Sequence, residues 1–512
     1  MASTSITTIL SRGVSVIVIF AIVRFLVRGY IHRSKVRSLK AQGLPVLPHS
    51  MLFGHLIILD EFRKSHPPDV NIYHLHTWLA SNFKLYFPTC EALPPVVYID
   101  LWPFSDSLAL VNDPTVASQF MTTKSLPKAR MVKQFIEPLT GCLDIFCTEA
   151  KAWKQWRTKL NPGFSQRSLS AMVPEIMEEV DVFVKGLTEM AGVGKWGPVF
   201  QLEKKTTNLT FDVICRATLD MRLHEQTRDA ESPLKAAFMD QLRLMGIIAN
   251  AARGKVFGRS PWQSAALARN NRTIRSILLP AIQEKLEAGR TDLQRKTVID
   301  LAIKNIDEGS SSISQTSPEF IDNLVSNLKM FLFAGHDTTT SAICFMTKAL
   351  QDNPQCLTKL RDEHGTIVGP DTKILSTSPH LLNSLPYTVG VIKETLRLYP
   401  LAATIRESHP GFCLVDESTR YPMEGFGLWA SAPVIQRHPR YWPKPDEFLP
   451  DRWTVPEGHP LHPPSSAWLP FSLGPRNCIG MQLAMIELQL VLIFTVRTFD
   501  IAEAWDKWDT IQ

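Results

Sequence analysis

The segment Phe471-Ser-Leu-Gly474-Pro-Arg476-Asn-Cys478-Ile-Gly480 frames one cysteine with two glycines, an arginine and an aromatic ring. The glycines allow a tight turn and a close approach of the backbone to a flat cofactor, so that amide N–H groups can point at the sulfur. Arg476 has the reach and the fixed charge to bind a carboxylate, and Phe471 limits the access of water to a thiolate. A buried free cysteine in a glycine turn is the ordinary alternative. Because five positions fit one geometry, the segment predicts that Cys478 is a metal thiolate.

The same segment resembles the haem-binding loop of the cytochrome P450 family, which reads Phe-x-x-Gly-x-Arg-x-Cys-x-Gly, at all five positions. The resemblance covers residues 43 to about 505 and implies the P450 fold, which is mainly α with a small β-rich part. It implies that Cys478 is the axial thiolate ligand of haem b and that Arg476 binds a haem propionate. By the same resemblance, Phe471, Gly474 and Gly480 contact the cofactor.

A second motif is Ala334-Gly335-His336-Asp337-Thr338-Thr339, within a predicted long helix. Small residues leave room for a bulky cofactor on one helix face, and a threonine can turn its hydroxyl toward a backbone carbonyl and loosen the helix locally. Asp337 and Thr338 are suited to passing protons from solvent. The alternative makes Gly335 a helix-crossing contact and the threonines solvent-facing. The motif resembles the family's oxygen-activation motif, which implies that Thr338 is the hydroxyl donor, that Asp337 is its acidic neighbour, and that Ala334 and Gly335 border the cofactor. We expect His336 to be a packing residue.

A third motif, Glu394-Thr-Leu-Arg397, places an acid and a base on one helix face. Most such pairs are surface salt bridges that contribute little to stability. In the family that this chain resembles, the pair joins a later arginine in a buried network that supports the cysteine loop. Arg452 matches that arginine, and Trp453 stands where phenylalanine is commoner. The resemblance therefore implies a structural role for Glu394, Arg397 and Arg452 in retaining the cofactor.

A fourth motif, Trp153-Lys-Gln-Trp156-Arg157, puts residues 153 and 157 on one face of a helix. It resembles the family's Trp-x-x-x-Arg, which implies that Trp153 and Arg157 meet a haem propionate. Arg406 is a weaker match to the residue that binds the other propionate. Lys151 and Lys154 either face an acidic electron donor or form a solvated helix face.

The first 40 residues form a basic and apolar leader with seven Lys/Arg and no Asp/Glu. A run from Ile6 to Val27 is long enough to span a bilayer if Arg12 and Arg24 extend toward the headgroups. A cleaved signal peptide and a mitochondrial presequence are the alternatives, but a basic flank follows the run in place of a cleavage site of small residues. We predict a membrane anchor at 1–30, a basic and proline-rich hinge at 31–50 and a monooxygenase domain at 51–512. The positive-inside rule predicts an endoplasmic-reticulum anchor with the body in the cytosol.

Charge and cysteine content exclude two other classes. Without the leader, 48 basic residues face 49 acidic ones, so no nucleic-acid partner is implied. The eight cysteines contain no Cys-x-x-Cys pair, and a cytosolic body makes a disulfide scaffold improbable.

Hydrophobic periodicity predicts helices over 165–190, 205–222, 232–250, 263–288, 318–350, 382–398 and 479–499, and strands near 96–100 and 107–112. Ser317 and Pro318 predict the N-cap and first turn of the long helix, after a polar, flexible tract that starts at Glu308. Residues 121–147, 330–334 and 402–404 are expected to border the substrate. Phe331, Leu332 and Phe333 predict an apolar pocket, although ordinary core packing explains each of them equally well.

Together these features predict a haem-thiolate monooxygenase that oxidises a hydrophobic small molecule. The overall sequence resembles fungal members of the family, which implies a role in secondary metabolism. The electrons of this monooxygenase would come from NADPH through an NADPH–cytochrome P450 reductase, with cytochrome b5 as a further partner. A haem-thiolate isomerase or dehydratase and a non-catalytic haem-binding protein are the alternatives. Only 34 residues follow Cys478, where family members continue into a C-terminal β-hairpin, so we expect that hairpin to be shortened.

Overall fold

The computed structural model describes residues 2–250, 259–288, 297–307, 317–417 and 419–508. The predicted flexible tract, residues 308–316, lies outside them. The chain divides into two compact units: unit 1 comprises residues 1–129 and 403–435, and unit 2 comprises 130–402 and 436–512.

The helices within the described ranges are α1 (Ala2–Ala41), α2 (Leu56–Lys64), α3 (Tyr73–Ser81), α4 (Phe83–Tyr86), α5 (Pro114–Ser118), α6 (Arg130–Thr140), α7 (Ala150–Leu160), α8 (Gln166–Ala171), α9 (Val173–Met190), α10 (Leu202–Leu219), α11 (Pro233–Asn250), α12 (Pro261–Ala288), α13 (Val298–Asp307), α14 (Pro318–Asp352), α15 (Pro354–Ile367), α16 (Ile374–Thr377), α17 (Pro386–Leu398), α18 (Ala432–Ile435), α19 (Met481–Val496) and α20 (Trp505–Trp508). The strands are β1 (Val96–Ile99), β2 (Leu108–Val111), β3 (Thr404–Glu407), β4 (Cys413–Asp416), β5 (Thr419–Pro422) and β6 (Gly427–Ala430).

Unit 1 is built on a four-stranded sheet in the order β1-β2-β6-β3. β1 and β2 are antiparallel with Val96 opposite Val111, β2 is parallel to β6, and β3 is antiparallel to β6. Every residue of β1 and β2 is buried, which explains why both read as continuous apolar runs without alternation. The two predicted strands are confirmed. β4 and β5 form a separate hairpin.

The leader forms one helix, α1, which passes the predicted boundary at residue 30 and ends at Ala41. By length and composition, Leu10–Ala41 is able to cross a membrane. The side chains from Leu10 to Arg28 are exposed, and from Gly29 onward a stripe of buried residues faces the rest of unit 1. The first part of the predicted hinge is therefore helical and packed.

Unit 2 is helical and centres on α14. Ser317 Oγ accepts a hydrogen bond from the Phe320 N–H at 3.2 Å and Pro318 occupies the first turn, as the sequence predicts. α14 packs against α6, α10, α17 and α19. The helix predicted over 165–190 is divided at Met172 into α8 and α9, and the other predicted helices are present with shifted ends. The one predicted over 382–398 begins at Pro386, because Pro379–Ser384 forms a 3-10 turn instead.

Candidate functional site

Cys478 lies at the end of a closed loop that leads into α19. The Cys478 N–H donates to the Phe471 carbonyl at 2.8 Å, and the Asn477 N–H donates to the Gly474 carbonyl at 3.1 Å. Gly474 has φ +74°, a conformation that favours glycine, and this accounts for its place in the motif. The cysteine side chain is exposed. The loop thus presents a thiol on a tightly bonded backbone.

A helix N-terminus and one arginine place positive charge near this sulfur. Gly480 is the N-cap of α19, so the positive end of the helix dipole favours a thiolate at Cys478. The Arg157 guanidinium donates to the Asn477 carbonyl and to Asn477 Oδ1, both at 2.9 Å. Burial lowers the pKa of Arg157, and the charge of Cys478 opposes that shift. Arg157 therefore both holds the loop and places positive charge near the Cys478 sulfur.

Arg476, in the same loop, is bound to a carboxylate of the protein. It forms an ion pair with Glu149 and donates to the Phe146 and Thr148 carbonyls at 3.0 Å each. Its guanidinium lies 4.8 Å from the centre of the Trp153 ring. The arginine that is predicted to hold a propionate thus binds a protein carboxylate here. The same donors match the carboxylate of a propionate-bearing cofactor.

Glu394, Arg397 and Arg452 meet in a network in which all three side chains are fully buried. Glu394 Oε1 accepts from Arg397 Nη2 at 2.8 Å and from Arg452 Nε at 2.9 Å. Glu394 Oε2 accepts from Arg397 Nε and from Trp453 Nε1, both at 3.0 Å. The Leu449 N–H completes the set at 3.0 Å. The buried charge is thereby fully hydrogen-bonded, as burial requires.

Two connections join this network to the cysteine loop. Aromatic rings follow one another from Trp453 to Trp468 at 5.6 Å and from Trp468 to Phe471 at 5.7 Å. Buried Gln436 accepts from the Leu469 N–H at 2.7 Å and donates to the Arg397 carbonyl at 2.8 Å. Gln436, Trp468, Asn477 and Glu149 are site residues that sequence reasoning missed. Only the spacing of the tryptophans gave any signal for them.

One face of α14 is open, although most of the helix is buried. Ala334 and Asp337 are exposed and Thr338 is partly exposed. The Thr338 hydroxyl donates to the Ala334 carbonyl at 2.7 Å, which is the backbone contact expected of a threonine in this motif. The side chains of the predicted proton path therefore share one accessible helix face.

The rest of the motif faces protein. A Cβ at Gly335 would lie 2.7 Å from Ile214 Cδ1, so this glycine permits the close crossing of α10 and α14. His336 is buried between Phe211 and Phe238, and burial lowers its pKa. Phe331 is also core, with its ring 5.3 Å from that of Phe164.

The structure thus brings residues of α7, the cysteine loop and the buried network together within unit 2. Arg406 belongs to unit 1, where it lies on β3 opposite Leu428 of β6 and is fully buried. Its predicted contact with the cofactor stays a prediction, as does that of Gly335.

Comparison with known proteins finds similar chains and a similar solved fold. A family model described as Cytochrome P450 matches residues 72–510. The chain is 34% identical to Cytochrome P450 monooxygenase polC of Polytolypa hystricis, over 97% of this chain and 88% of that protein. It is 30% identical to Cytochrome P450 monooxygenase acrF of Aspergillus aculeatus, over 80% and 85% of the two chains. The crystal structure of the cytochrome P450DA heme domain aligns with a TM-score of 0.70 at 20% identity, covering 90% of this chain and 92% of that one, which shows the shared fold.

Proposed function

The chain belongs to the cytochrome P450 family and is a P450 monooxygenase, and from that premise we propose that Cys478 binds haem b as its thiolate ligand. The observation that carries this proposal is the exposed thiol of Cys478 at the N-terminal end of α19, in a loop held by the Phe471 carbonyl and by Arg157. Such an arrangement favours the charged form of the sulfur. Bound haem with a thiolate ligand supplies the activation of O2 and the insertion of one oxygen atom into an organic substrate.

The protein's own residues fit this cofactor. Arg476 lies where it binds a carboxylate, and Glu149 would share or yield that position to a propionate. Trp153 lies against the same guanidinium, and Arg157 would hold the loop in place. Ala334 keeps the open face of α14 small enough for a flat ring. In this proposal Arg476 binds the cofactor's carboxylate, while Arg157 holds the loop that carries the thiol.

Proton delivery is the proposed task of Asp337 and Thr338. Asp337 is exposed, so its carboxylate is accessible to solvent. The Thr338 hydroxyl is fixed by the Ala334 carbonyl, which orients its lone pairs for accepting a proton from a neighbour. We assign Thr338 the role of holding the last proton before transfer and Asp337 the role of replenishing it.

The substrate is proposed to be a hydrophobic small molecule of secondary metabolism. Phe333 is the partly exposed aromatic next to the open face of α14, and its ring lies 6.4 Å from that of Phe135 on α6. An apolar wall of this kind selects apolar ligands. The fungal origin of the two monooxygenases at 34% and 30% identity supports the metabolic assignment.

Electrons are proposed to come from NADPH through a membrane-bound reductase, with α1 anchoring the enzyme in the endoplasmic reticulum. On α7, Trp153 and Arg157 face the cysteine loop while Lys151 and Lys154 are exposed. The helix therefore offers positive charge to an acidic partner directly outside the proposed haem site.

The experiment is turnover under 18O2 in microsomes that contain the enzyme and a fungal reductase, with a panel of terpenoid and polyketide substrates. We expect one product that carries a single 18O atom and requires NADPH, reductase and Cys478. A product without 18O would indicate an isomerase or dehydratase. Spectral binding of every panel member without any product would indicate a binding protein. Thr338→Ala, with Thr347→Ala on the same helix as control, is expected to consume NADPH while forming less product.

A further inference from the structure

The cytosolic end of α1 is fixed to unit 1 by a buried stripe. Gly29, Arg33, Val36 and Leu39 recur at helical spacing and are all buried, whereas the large apolar side chains from Leu10 to Val27 are exposed. The helix therefore has two parts. The part from Leu10 to Val27 exposes apolar side chains suited to contact with lipid, and the part from Gly29 to Leu39 packs against protein.

Trp102 fills the groove against this stripe. Its ring lies 4.4 Å from that of Phe25, and the Arg33 guanidinium lies 5.7 Å from it. A Cβ at Gly29 would come within 2.7 Å of the indole, so only glycine allows this approach. The Trp102 indole thus packs against the end of the apolar segment of α1.

An ion pair between Arg33 and Asp100 lies beneath the indole, with both side chains almost fully buried. Arg33 Nη2 also donates to the Trp102 carbonyl at 2.8 Å, and His49 Nε2 lies 3.0 Å from Asp100 Oδ2. Burial raises the pKa of Asp100, but hydrogen bonds from His49, Arg33 and the Trp102 N–H outweigh it and hold the pKa at about 2. The carboxylate is therefore charged at neutral pH, and the pair resists separation.

A tight apolar turn lies against the same guanidinium. Ser50 and Gly54 exchange backbone hydrogen bonds at 3.1 and 2.8 Å, which closes the turn Met51-Leu52-Phe53. A Cβ at Gly54 would overlap Arg33. The side chains of Met51, Leu52 and Phe53 are 39%, 74% and 50% exposed, so the turn directs three large apolar groups outward.

We propose that the turn Met51–Phe53 inserts into the interfacial layer of the same bilayer that α1 crosses, and that the Arg33–Asp100 pair fixes the turn relative to the helix. This inference rests on the proposed role of α1 as an anchor. Leu10–Val27 spans about 27 Å of helix, and Arg33 follows within about two turns. The turn beside Arg33 therefore lies at the depth of the headgroups, where apolar side chains insert by about 5–10 Å. The exposed Arg28 and Arg37 favour anionic lipid at this level.

The test places one nitroxide at a time on the full-length holoprotein in phosphatidylcholine/phosphatidylserine vesicles. A non-canonical amino acid carries each label, because the chain has eight native cysteines. Labels go to Ile17, to Leu52 and to the exposed Val415 on β4, and collision rates with O2 and with a water-soluble nickel complex report depth. We expect Ile17 and Leu52 to favour O2 and Val415 to favour nickel. If Ile17 favours nickel, the anchor and this inference both fail. If Ile17 favours O2 but Leu52 matches Val415, only this inference fails.

A second measurement tests whether the Arg33–Asp100 pair holds α1 in one position relative to the rest of unit 1. Labels at the exposed Ser38 and Glu91, both in unit 1, are expected to give a single narrow distance distribution in the parent. Asp100→Asn, which keeps the shape and removes the charge, is expected to broaden it at least twofold. A broad parent distribution would overturn the coupling even if the variant fails to fold.

Discussion

The indole Nε1 of Trp453 donates a 3.0 Å hydrogen bond to Glu394 Oε2, at the centre of the buried charge network. The same indole packs 5.6 Å from Trp468, which contacts Phe471 of the cysteine loop. Trp453 thus supplies one of the donors to the buried carboxylate and links the network to the loop by ring packing. A phenylalanine, the commoner residue expected from the family resemblance, would provide the packing but no donor.

Trp453→Phe is therefore expected to destabilise the holoprotein by about 2–4 kcal/mol. Loss of a hydrogen bond to a charged group contributes about 1.5–3 kcal/mol, and the smaller ring leaves a void that adds to it. The measurement is urea unfolding followed by haem absorbance. Trp505→Phe is the control, since Trp505 is 67% exposed. Equal midpoints for the two variants would show that Glu394 does not depend on the indole.

The glycine of the α14 motif gives a second prediction. Gly335→Ala is expected to lower stability by about 1–3 kcal/mol, because the new methyl meets Ile214 at 2.7 Å. Ile214→Ala is expected to relieve that clash, so a double-mutant cycle on unfolding free energies gives a favourable coupling. An additive cycle, with haem binding lost in both Gly335 variants, would instead favour direct contact of Gly335 with the cofactor.

Asp212 on α10 predicts a pH dependence of stability. Burial raises its pKa from 3.8 to about 6, although the N–H groups of Glu225 and Gln226 donate to it. The folded state therefore holds a proton that the unfolded state has released. Its stabilising contribution is complete below about pH 4 and is lost as pH rises through 6.

The stability of the parent relative to Asp212→Asn should accordingly fall by about 3 kcal/mol between pH 4 and pH 7, and stay level above that. Urea titrations across this range measure the difference, in which other titrating groups cancel. Asp362→Asn, an exposed carboxylate on α15, should follow the parent at every pH. A difference in unfolding free energy between the parent and Asp212→Asn that stays the same at every pH would contradict the raised pKa of Asp212.

The lysines of α7 predict how the reductase docks. Lys151→Glu/Lys154→Glu is expected to slow reduction by the reductase about tenfold at low ionic strength. The difference in reduction rate between this variant and the parent should become smaller in 1 M salt, where the screening length falls to about 3 Å. Lys204→Glu/Lys205→Glu, which changes two exposed lysines of α10, is the control. Stopped-flow formation of the carbon monoxide complex measures the rate, and equal rates for the two variants would remove α7 from the docking surface.

Sequence reasoning located the site because its signals are local. The spacing of Phe471, Gly474 and Cys478 encodes a turn, and Ser317-Pro318 encodes a helix start, so both were predictable within a few residues. It failed where a partner lies far along the chain. Nothing near Gln436 indicates that its side chain joins α17 to Leu469.

The same reason explains the errors at the N-terminal end. α2, α3 and the part of α1 beyond residue 30 were not predicted, because nine-residue helices give a short pattern and the basic residues after Val27 indicated a hinge. In the sequence, Arg33 is one of several basic residues that follow the apolar run ending at Val27. Only the position of Asp100, 67 residues later, turns it into a buried ion pair.

The most direct test of the central claim is the carbon monoxide difference spectrum of the reduced full-length protein, recorded beside Cys478→Ser. Thiolate ligation predicts a strongly red-shifted Soret band in the parent and its absence in the variant. Cys142→Ser, a partly buried cysteine outside the loop, should retain the band. A parent that binds no haem, or a red-shifted band that survives in Cys478→Ser, would contradict the assignment of Cys478 as the thiolate ligand.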